Sequence, residues 1–195
     1  MDFPLFETIC LENGQLQNMA LHQQRYEQSL AVFYRKSAVK IYDLLTEIHK
    51  ISGFSTALLQ PLVRCRIAYN AKSLQIQFFP YERKSYRNFQ PVICDHIDYA
   101  LKYQDRVLLN ALLEQKQDCD EIMIIKNGKV TDCSIGNLIF RQGKNWFTPD
   151  EPLLNGTQRQ FLLAQGKIKE QPIFVEDIEN FDEIRLINAM NDLSD

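Results

Sequence analysis

The sequence lacks an apolar run long enough to cross a membrane. A transmembrane helix needs roughly 20 consecutive apolar residues, and polar or charged residues interrupt every apolar stretch of this chain well before that length. The first ten residues, MDFPLFETIC, contain Asp2 and Pro4 instead of the basic segment and apolar stretch of a secretion signal. These absences predict a cytoplasmic protein without a membrane partner.

Positive charge is not in excess either. The 195 residues include 22 Lys and Arg against 25 Asp and Glu, which gives a formal net charge of -3 at pH 7. Nucleic-acid-binding domains carry clustered basic residues, and the chain has no long basic run, so we do not expect a nucleic-acid partner. An apolar content of 45% argues against a disordered chain and indicates one compact unit or two small lobes.

Paired cysteines and metal-ligand clusters are missing as well. The chain has five cysteines, each isolated in sequence: Cys10, Cys65, Cys94, Cys119 and Cys133. They form no C-x-x-C pair, and neither His49 nor His96 has a partner at the spacing of metal ligands. We therefore expect no disulfide framework and no metal site, and most of the cysteines should be small buried residues in a reducing compartment.

Residues 1–80 predict a small lobe of strands and helices. Hydrophobic periodicity places its elements at residues 3–11, 15–19, 21–34, 39–51, 61–69 and 74–80. In the strand at 61–69, alternate apolar residues form one face, whereas Arg64 and Arg66 share the other. The polar segment 81–88 is the expected linker to a second lobe.

Residues 89–195 predict a larger lobe that is rich in strands. Its elements are expected at residues 91–95, 103–115, 121–133, 137–141, 145–148, 158–165 and 183–188. The helix at 103–115 should bury Val107, Leu108, Ala111 and Leu112, and Asn127-Gly128 predicts a type I′ hairpin turn. Irregularly interspersed helices and strands favour the α+β class.

Short polar motifs recur along the chain in a characteristic order. They are F-E-T at 6–8, H-x-x-R at 22–25, L-K-x-x-x-R at 101–106, D-E at 120–121, N-G-K-V-T-D at 127–132, Asn137, T-P at 148–149, L-x-G-T-x-R at 154–159 and D-E-I-x-L-x-N-A at 182–189. This ordered set resembles the class IV aminotransferase family, the pyridoxal-phosphate enzymes of fold type IV. The family includes branched-chain and D-amino acid aminotransferases and aminodeoxychorismate lyase.

The resemblance implies roles for three charged side chains. Lys102 matches the lysine that forms an imine with the cofactor aldehyde and later moves the substrate proton. Arg25 matches the arginine that binds the cofactor phosphate. Asp132 stands where the family usually has Glu, the acid that pairs with the pyridine nitrogen. Taken singly, each could be an ordinary surface or strand-end charge.

The resemblance also implies contacts with the cofactor and the substrate. Leu154, Gly156 and Thr157 match the turn that completes the phosphate site, and Arg64, with Arg66 as a close second, is the candidate for the substrate carboxylate. Arg64 and Arg66 could equally be a pair of arginines on an exposed strand. The small residues Cys133, Ser134 and Gly136 would leave room for a flat ring.

Besides Asp132 in place of Glu, three further departures from the family pattern limit these expectations. The chain begins almost at its F-E-T motif, so a reduced small lobe is expected. Thr157-Gln158 replaces the usual Ile-Thr pair after Gly156, which moves the hydroxyl one position earlier. Val107 stands where branched-chain enzymes have a Tyr that contacts the cofactor, which weakens a branched-chain assignment.

Three functions remain open from the sequence. The first is a pyridoxal-phosphate-dependent aminotransferase that acts on an amino acid or amino-carboxylic acid through Lys102. The second is an aminodeoxychorismate lyase-type enzyme that eliminates pyruvate, and the third is a cofactor-free binding protein on the same scaffold. The resemblance also implies a homodimer.

Overall fold

The computed structural model of this protein describes residues 2–35 and 37–193, which fall into two compact units. The first unit contains the described residues up to Arg83 together with Leu101–Asp105. The second contains Lys84–Ala100 and the described residues from Arg106 onward. The sequence-based division assigned residues 101–105 to the larger lobe, whereas the structure groups them with the first unit.

The first unit is built on a four-stranded antiparallel sheet. Its strands are β1 (Leu5–Glu12), β2 (Gln15–Leu16), β3 (Leu62–Tyr69) and β4 (Leu74–Pro80), in the order β2-β1-β3-β4. Val63, Cys65, Ile67 and Tyr69 are all buried on one face of β3, as the alternation predicts. The opposite face carries Arg64 and Arg66, both half-buried.

Three helices belong to this unit: α1 (Met19–Tyr34), α2 (Leu44–Lys50) and α3 (Phe54–Ala57). The prediction that α2 begins near residue 39 was wrong, because Asp43 caps it by accepting a hydrogen bond from the Thr46 amide at 2.7 Å. The four-residue helix α3 was not predicted.

Residues 101–105 add to the sheet beside the start of β1. Leu5 and Tyr103 form an antiparallel bridge, the Phe6 amide donates to the Lys102 carbonyl at 3.1 Å, and the Gln104 amide donates to the Pro4 carbonyl at 2.7 Å. The backbone of Lys102 is therefore held by β1, and the helix predicted from residue 103 begins only at Val107.

The second unit contains two sheets. The strands β5 (Phe89–Ile93), β6 (Glu121–Lys126) and β7 (Lys129–Val130) form one sheet in the order β5-β6-β7, with β5 parallel to β6. The other sheet has the order β10-β9-β8-β11 and comprises β8 (Asn137–Gln142), β9 (Asn145–Pro149), β10 (Lys169–Gln171) and β11 (Glu183–Ile187). The short strand β10 was not predicted. Asn127 and Gly128 both have positive φ, 51° and 77°, which confirms the type I′ turn between β6 and β7.

Two α-helices of this unit are α4 (Val107–Leu113) and α5 (Thr157–Ala164). The predicted buried stripe of α4 was partly wrong, because Val107 is 75% and Leu108 is 38% exposed and Ala111 is exposed as well. Leu109 and Leu112 are buried. Short 3-10 helices follow at Glu114–Lys116 and Val175–Asn180. The mixture of helices and sheets confirms the α+β class.

Two further sequence expectations bear on the fold. All five cysteines are free thiols, and four of them are buried while Cys119 is half-buried. Within residues 2–35 and 37–193, no helix combines the length and apolarity that a membrane span requires.

Candidate functional site

A buried ionic cluster lies on the core face of the first unit's sheet. The strand alternation that buries Leu5 and Ile9 also buries Glu7, whose side chain faces His22 and Arg25 on α1. Oε1 of Glu7 accepts from Nε of Arg25 at 2.8 Å, and Oε2 accepts from Nη2 of Arg25 at 2.5 Å and from Nδ1 of His22 at 2.7 Å. The guanidinium of Arg25 is therefore fixed in one plane.

In this cluster the carboxylate of Glu7 and the guanidinium of Arg25 are both charged. Burial acts to raise the pKa of Glu7, but the charge of Arg25 and the hydrogen bonds from His22 and Arg25 outweigh it and lower the pKa to about 2. Burial lowers the pKa of His22 despite the favourable carboxylate. At neutral pH, a neutral His22 donates through Nδ1 to an ionised Glu7.

Lys102 lies next to an aromatic ring and a second cation, and it is close enough to the buried cluster for its charge to contribute to the lowered pKa of His22. Its Nζ is 4.8 Å from the centroid of the Phe6 ring, and Cζ of Arg66 is 4.4 Å from the same centroid. Arg66 also donates to the side-chain oxygen of Gln104. Arg64 stacks on Phe79 instead, at 5.0 Å, so the structure brings Arg66 to the neighbourhood of Lys102 and places Arg64 elsewhere on the strand.

Asp132 is a buried acid in the second unit, only 4% exposed. Its Oδ1 accepts from Nδ2 of Asn137 at 2.8 Å, and its Oδ2 accepts from the Leu154 amide at 2.9 Å. Burial raises the pKa of Asp132 to about 6, although these two hydrogen bonds and the charge of Arg159 favour the ionised form. A cation placed against this carboxylate would restore its charge.

The loop that follows Asp132 is anchored from two directions. The Ser134 hydroxyl donates to the buried carboxylate of Glu121 at 2.9 Å, and Nη2 of Arg106 donates to the Ser134 carbonyl at 2.9 Å. A Cβ at Gly136 would lie 2.5 Å from the carbonyl oxygen of Ile187. The close approach of the β11 backbone therefore gives one structural reason for a glycine at position 136.

The turn before α5 contains the predicted residues Gly156 and Thr157. Gly156 occupies the N-cap position of α5, and a Cβ there would overlap Oδ1 of Asn137. Thr157 is the first helical residue and is 2% exposed. Gln158, which replaces the usual Thr, donates through Nε2 to Asp192 at 2.6 Å. The amides of a helix's first turn point away from the helix, where they can bind an anion.

Each unit therefore assembles its own set of candidate residues. The first holds Arg25, which is bound to Glu7, and Lys102 and Arg66, which share the Phe6 ring. The second joins Asp132 to Leu154, and Asn137 lies between Asp132 and Gly156.

Sequence reasoning named two motif residues without finding what they do. Glu7 lies at a core-facing position of β1, and a carboxylate at an apolar position of an alternating strand is a signal that a buried cation faces it. The side chain of Asn137 bonds to Asp132, five residues earlier, and that contact follows from a β-bridge between the two residues.

Comparison with known proteins places these residues in a family. The family model described as amino-transferase class IV matches residues 4–194. A Haemophilus influenzae protein of unassigned function is 65% identical over 191 residues, covering 98% of this chain and 100% of that protein.

Solved structures agree with that match. A Haemophilus somnus 129pt protein, provisionally named a 4-amino-4-deoxychorismate lyase, is 59% identical with a TM-score of 0.93, covering 99% of each chain. A hypothetical aminotransferase from Mycobacterium tuberculosis, solved with alpha-ketoglutarate and PMP bound, is 16% identical with a TM-score of 0.77, covering 96% of this chain and 77% of that one. The fold expected from the motifs is thereby confirmed.

Proposed function

Because this chain belongs to the class IV aminotransferase family, we propose that it is a pyridoxal-phosphate-dependent enzyme acting on an amino acid or amino-carboxylic acid. The observation that carries the proposal is Asp132, a buried carboxylate whose two oxygens are fixed by Asn137 and Leu154. An acid of this kind suits a protonated ring nitrogen, because a nearby cation stabilises the ionised carboxylate and so opposes the burial that raises its pKa to about 6.

The other side chains fit the chemistry of the same cofactor. The guanidinium of Arg25, oriented by Glu7, suits a phosphate oxygen pair. Gly156 and the first amides of α5, beginning with Thr157, are donors that also suit phosphate oxygens, and Leu154 presents its backbone beside the acid. The donor set of the chain therefore fits pyridoxal phosphate.

In this proposal the chain's own residues bind, orient and move protons. Pyridoxal phosphate, when bound, supplies an aldehyde for an amine and an electron sink for a breaking bond at the substrate's α-carbon. Lys102 would hold the aldehyde until substrate displaces it, and its Nζ would then accept the proton from the α-carbon. Asp132 would keep the ring nitrogen protonated, since its ionised form is favoured beside a cation.

A substrate carboxylate needs a cation close to Lys102. The proximity of Arg66 and Lys102 to one aromatic ring, that of Phe6, supports Arg66 for this role. Arg64, which the sequence ranked first, packs on Phe79 and stays as the second candidate. Both arginines lie on the strand face opposite the core, so neither is needed for the hydrophobic core itself.

The first test of the proposal is the cofactor itself. Purified protein mixed with pyridoxal phosphate should acquire the visible absorption of a lysine-bound cofactor, and borohydride should then label Lys102. Lys102→Ala should abolish both signals. The matched control is Lys126→Ala, because Nζ of Lys126 bonds to the Ile97 carbonyl. A wild-type protein without absorption or label would contradict the proposal and favour a cofactor-free binding protein.

Two reactions are compatible with these residues, transamination and elimination of pyruvate, and one similarity favours the second. The 59%-identical relative is provisionally named a 4-amino-4-deoxychorismate lyase, which supports elimination of pyruvate over the aminotransferase-like reaction that the motifs favour. Incubation with an amino-cyclohexadiene acid and no keto-acid acceptor distinguishes them. Continuous pyruvate release over many turnovers supports the lyase, whereas transamination requires an added keto acid.

We also propose a homodimer, on the resemblance to the family. Sedimentation equilibrium should give twice the 22.8 kDa mass of the chain. A monomeric mass at concentrations where the enzyme is active would contradict this part of the proposal.

A further inference from the structure

Asn137, the first residue of β8, joins the buried acid to the turn that precedes α5. Its Nδ2 donates one hydrogen bond to Oδ1 of Asp132 at 2.8 Å and another to the Leu154 carbonyl at 2.9 Å. A carboxamide nitrogen carries two hydrogens, so these two bonds use both of them.

The Leu154 amide closes the arrangement from the other side. It donates to Oδ2 of Asp132 at 2.9 Å. The carboxylate of Asp132, the carboxamide of Asn137 and the backbone N–H and C=O of Leu154 therefore form a ring of hydrogen bonds. The two carboxylate oxygens are thus bound by different donors, and the backbone of Leu153 adds a further hydrogen bond that favours the ionised form. These donors fix the plane of the Asp132 carboxylate.

The other end of the carboxamide lies against the N-cap of α5. A Cβ added at Gly156 would overlap Oδ1 of Asn137, so only a glycine lets the side chain and the backbone approach this closely. Asn137 is itself 3% exposed. One side chain therefore contacts the acid, the Leu154 carbonyl and the N-cap residue of the helix.

We propose that Asn137 is a positioning residue that fixes the Asp132 carboxylate and the turn at residues 154–157 in a single arrangement. The inference rests on the proposed function for its consequence, because Asp132 and the turn are the proposed contacts at opposite ends of one cofactor. The positioning itself follows from the hydrogen bonds of Asn137 and its close approach to Gly156. A side chain that only filled space could be apolar, whereas this one must donate twice and must not present a second negative charge to Asp132.

The test measures the acid in the protein without cofactor. Carbon-13 NMR of the Asp132 carboxyl should show a pKa about one unit or more higher in Asn137→Ala than in the wild type, because a hydrogen bond to the charged form is lost. Asn137→Ser keeps a single donor and should give a smaller rise, which provides a second, more conservative variant if Asn137→Ala folds poorly. The control is Asn191→Ala, a buried asparagine of the same unit whose Nδ2 lies 3.4 Å from Oδ1 of Asn188.

A second measurement connects the positioning to the cofactor. The dissociation constant of pyridoxal phosphate should rise at least tenfold in Asn137→Ala. In the double variant with Asp132→Asn, the fold-increase in this constant should be smaller than the product of the fold-increases in the two single variants. An unchanged Asp132 pKa in folded Asn137→Ala, or fully multiplicative effects, would overturn the inference. If the wild type itself binds no pyridoxal phosphate, the proposed function fails, while the NMR comparison still decides the role of Asn137.

Discussion

Glu7 and Arg25 are joined by two hydrogen bonds, from Nε to Oε1 at 2.8 Å and from Nη2 to Oε2 at 2.5 Å, in a place where the carboxylate has no solvent exposure. The F-E-T and H-x-x-R motifs therefore act as one structural feature. A buried charge that loses its partner is costly, so each motif constrains the other.

The first prediction concerns this pair. Glu7→Gln leaves the buried guanidinium without a counter-charge and should lower the free energy of unfolding by about 3 kcal/mol, measured by urea denaturation. Glu12→Gln is the matched control, because Glu12 lies on the same strand and also makes two bonds, to Arg83, at 2.9 Å and 3.0 Å. Since that pair is partly exposed, its loss should cost less than about 1 kcal/mol.

The same variant, Glu7→Gln, distinguishes the contribution of the cofactor's phosphate to binding from that of its ring. If Glu7 orients Arg25 for phosphate binding, Glu7→Gln should weaken binding of pyridoxal phosphate more than binding of pyridoxal, which lacks the phosphate. Titration of each compound, followed by absorbance, gives the ratio of its dissociation constants for the variant and the wild type. Equal losses for both compounds would show that the pair serves stability alone.

The second prediction is a pH dependence that originates at Asp132. Burial raises the folded-state pKa of this acid from 3.8 to about 6, so the folded protein binds its proton more tightly than the unfolded chain. The resulting stability is complete below about pH 4 and is lost as the pH rises through about 6. A shift of about two pKa units corresponds to about 3 kcal/mol.

The comparison of wild type with Asp132→Asn isolates this effect. In the protein without cofactor, the wild type should lose stability between about pH 4 and 6 relative to the variant. Glu7 contributes with the opposite sign, since its pKa is lowered to about 2, but it is present in both proteins and cancels from the difference. A difference that stays constant over this range would contradict the raised pKa. Added pyridoxal phosphate should reverse the trend in the wild type by favouring the ionised acid.

The third prediction concerns a glycine. Gly156→Ala should destabilise the protein and weaken cofactor binding, because the new Cβ overlaps Oδ1 of Asn137. Gly53→Ala is the control, since a Cβ there would lie 3.7 Å from the Phe78 side chain, which is an ordinary contact distance. Thermal unfolding of both variants gives the comparison. Asn137→Ala should relieve most of the Gly156→Ala penalty on stability without restoring cofactor affinity, and additive penalties would contradict the proposed overlap.

Much of the fold follows from local patterns in the sequence. Strict alternation placed the buried face of β3 correctly, and Asn127-Gly128 identified its turn type, because both signals act within a few residues. Helix α4 was harder, since Val107, Leu108 and Leu109 are all apolar and several helical phases satisfy the pattern equally. In the structure, the residues of α4 that pack into the core are Leu109 and Leu112.

The candidate site depends on contacts that the sequence does not display. The bridge between Leu5 and Tyr103 ends the helical pattern that was expected from residue 103, because pairing with β1 satisfies that backbone instead. The motifs located Lys102 and Asp132 but not their surroundings. The bond from Asn137 to Leu154 depended on the position of a turn that lies 17 residues further along the chain.

The fourth prediction distinguishes the two arginines of β3. Arg66 shares the Phe6 ring with Lys102, whereas Arg64 packs on Phe79, and its Nε has no hydrogen-bond partner within residues 2–35 and 37–193. If Arg66 binds the substrate carboxylate, Arg66→Gln should raise KM by about tenfold or more, as expected when a charged hydrogen bond is lost. The affinity for pyridoxal phosphate should change little. Arg64→Gln is the matched control in the same strand and on the same face, and steady-state kinetics of both variants give the answer. A larger rise in KM for Arg64→Gln than for Arg66→Gln would reverse the assignment, because the carboxylate would then lie beside Phe79 and away from the Phe6 ring.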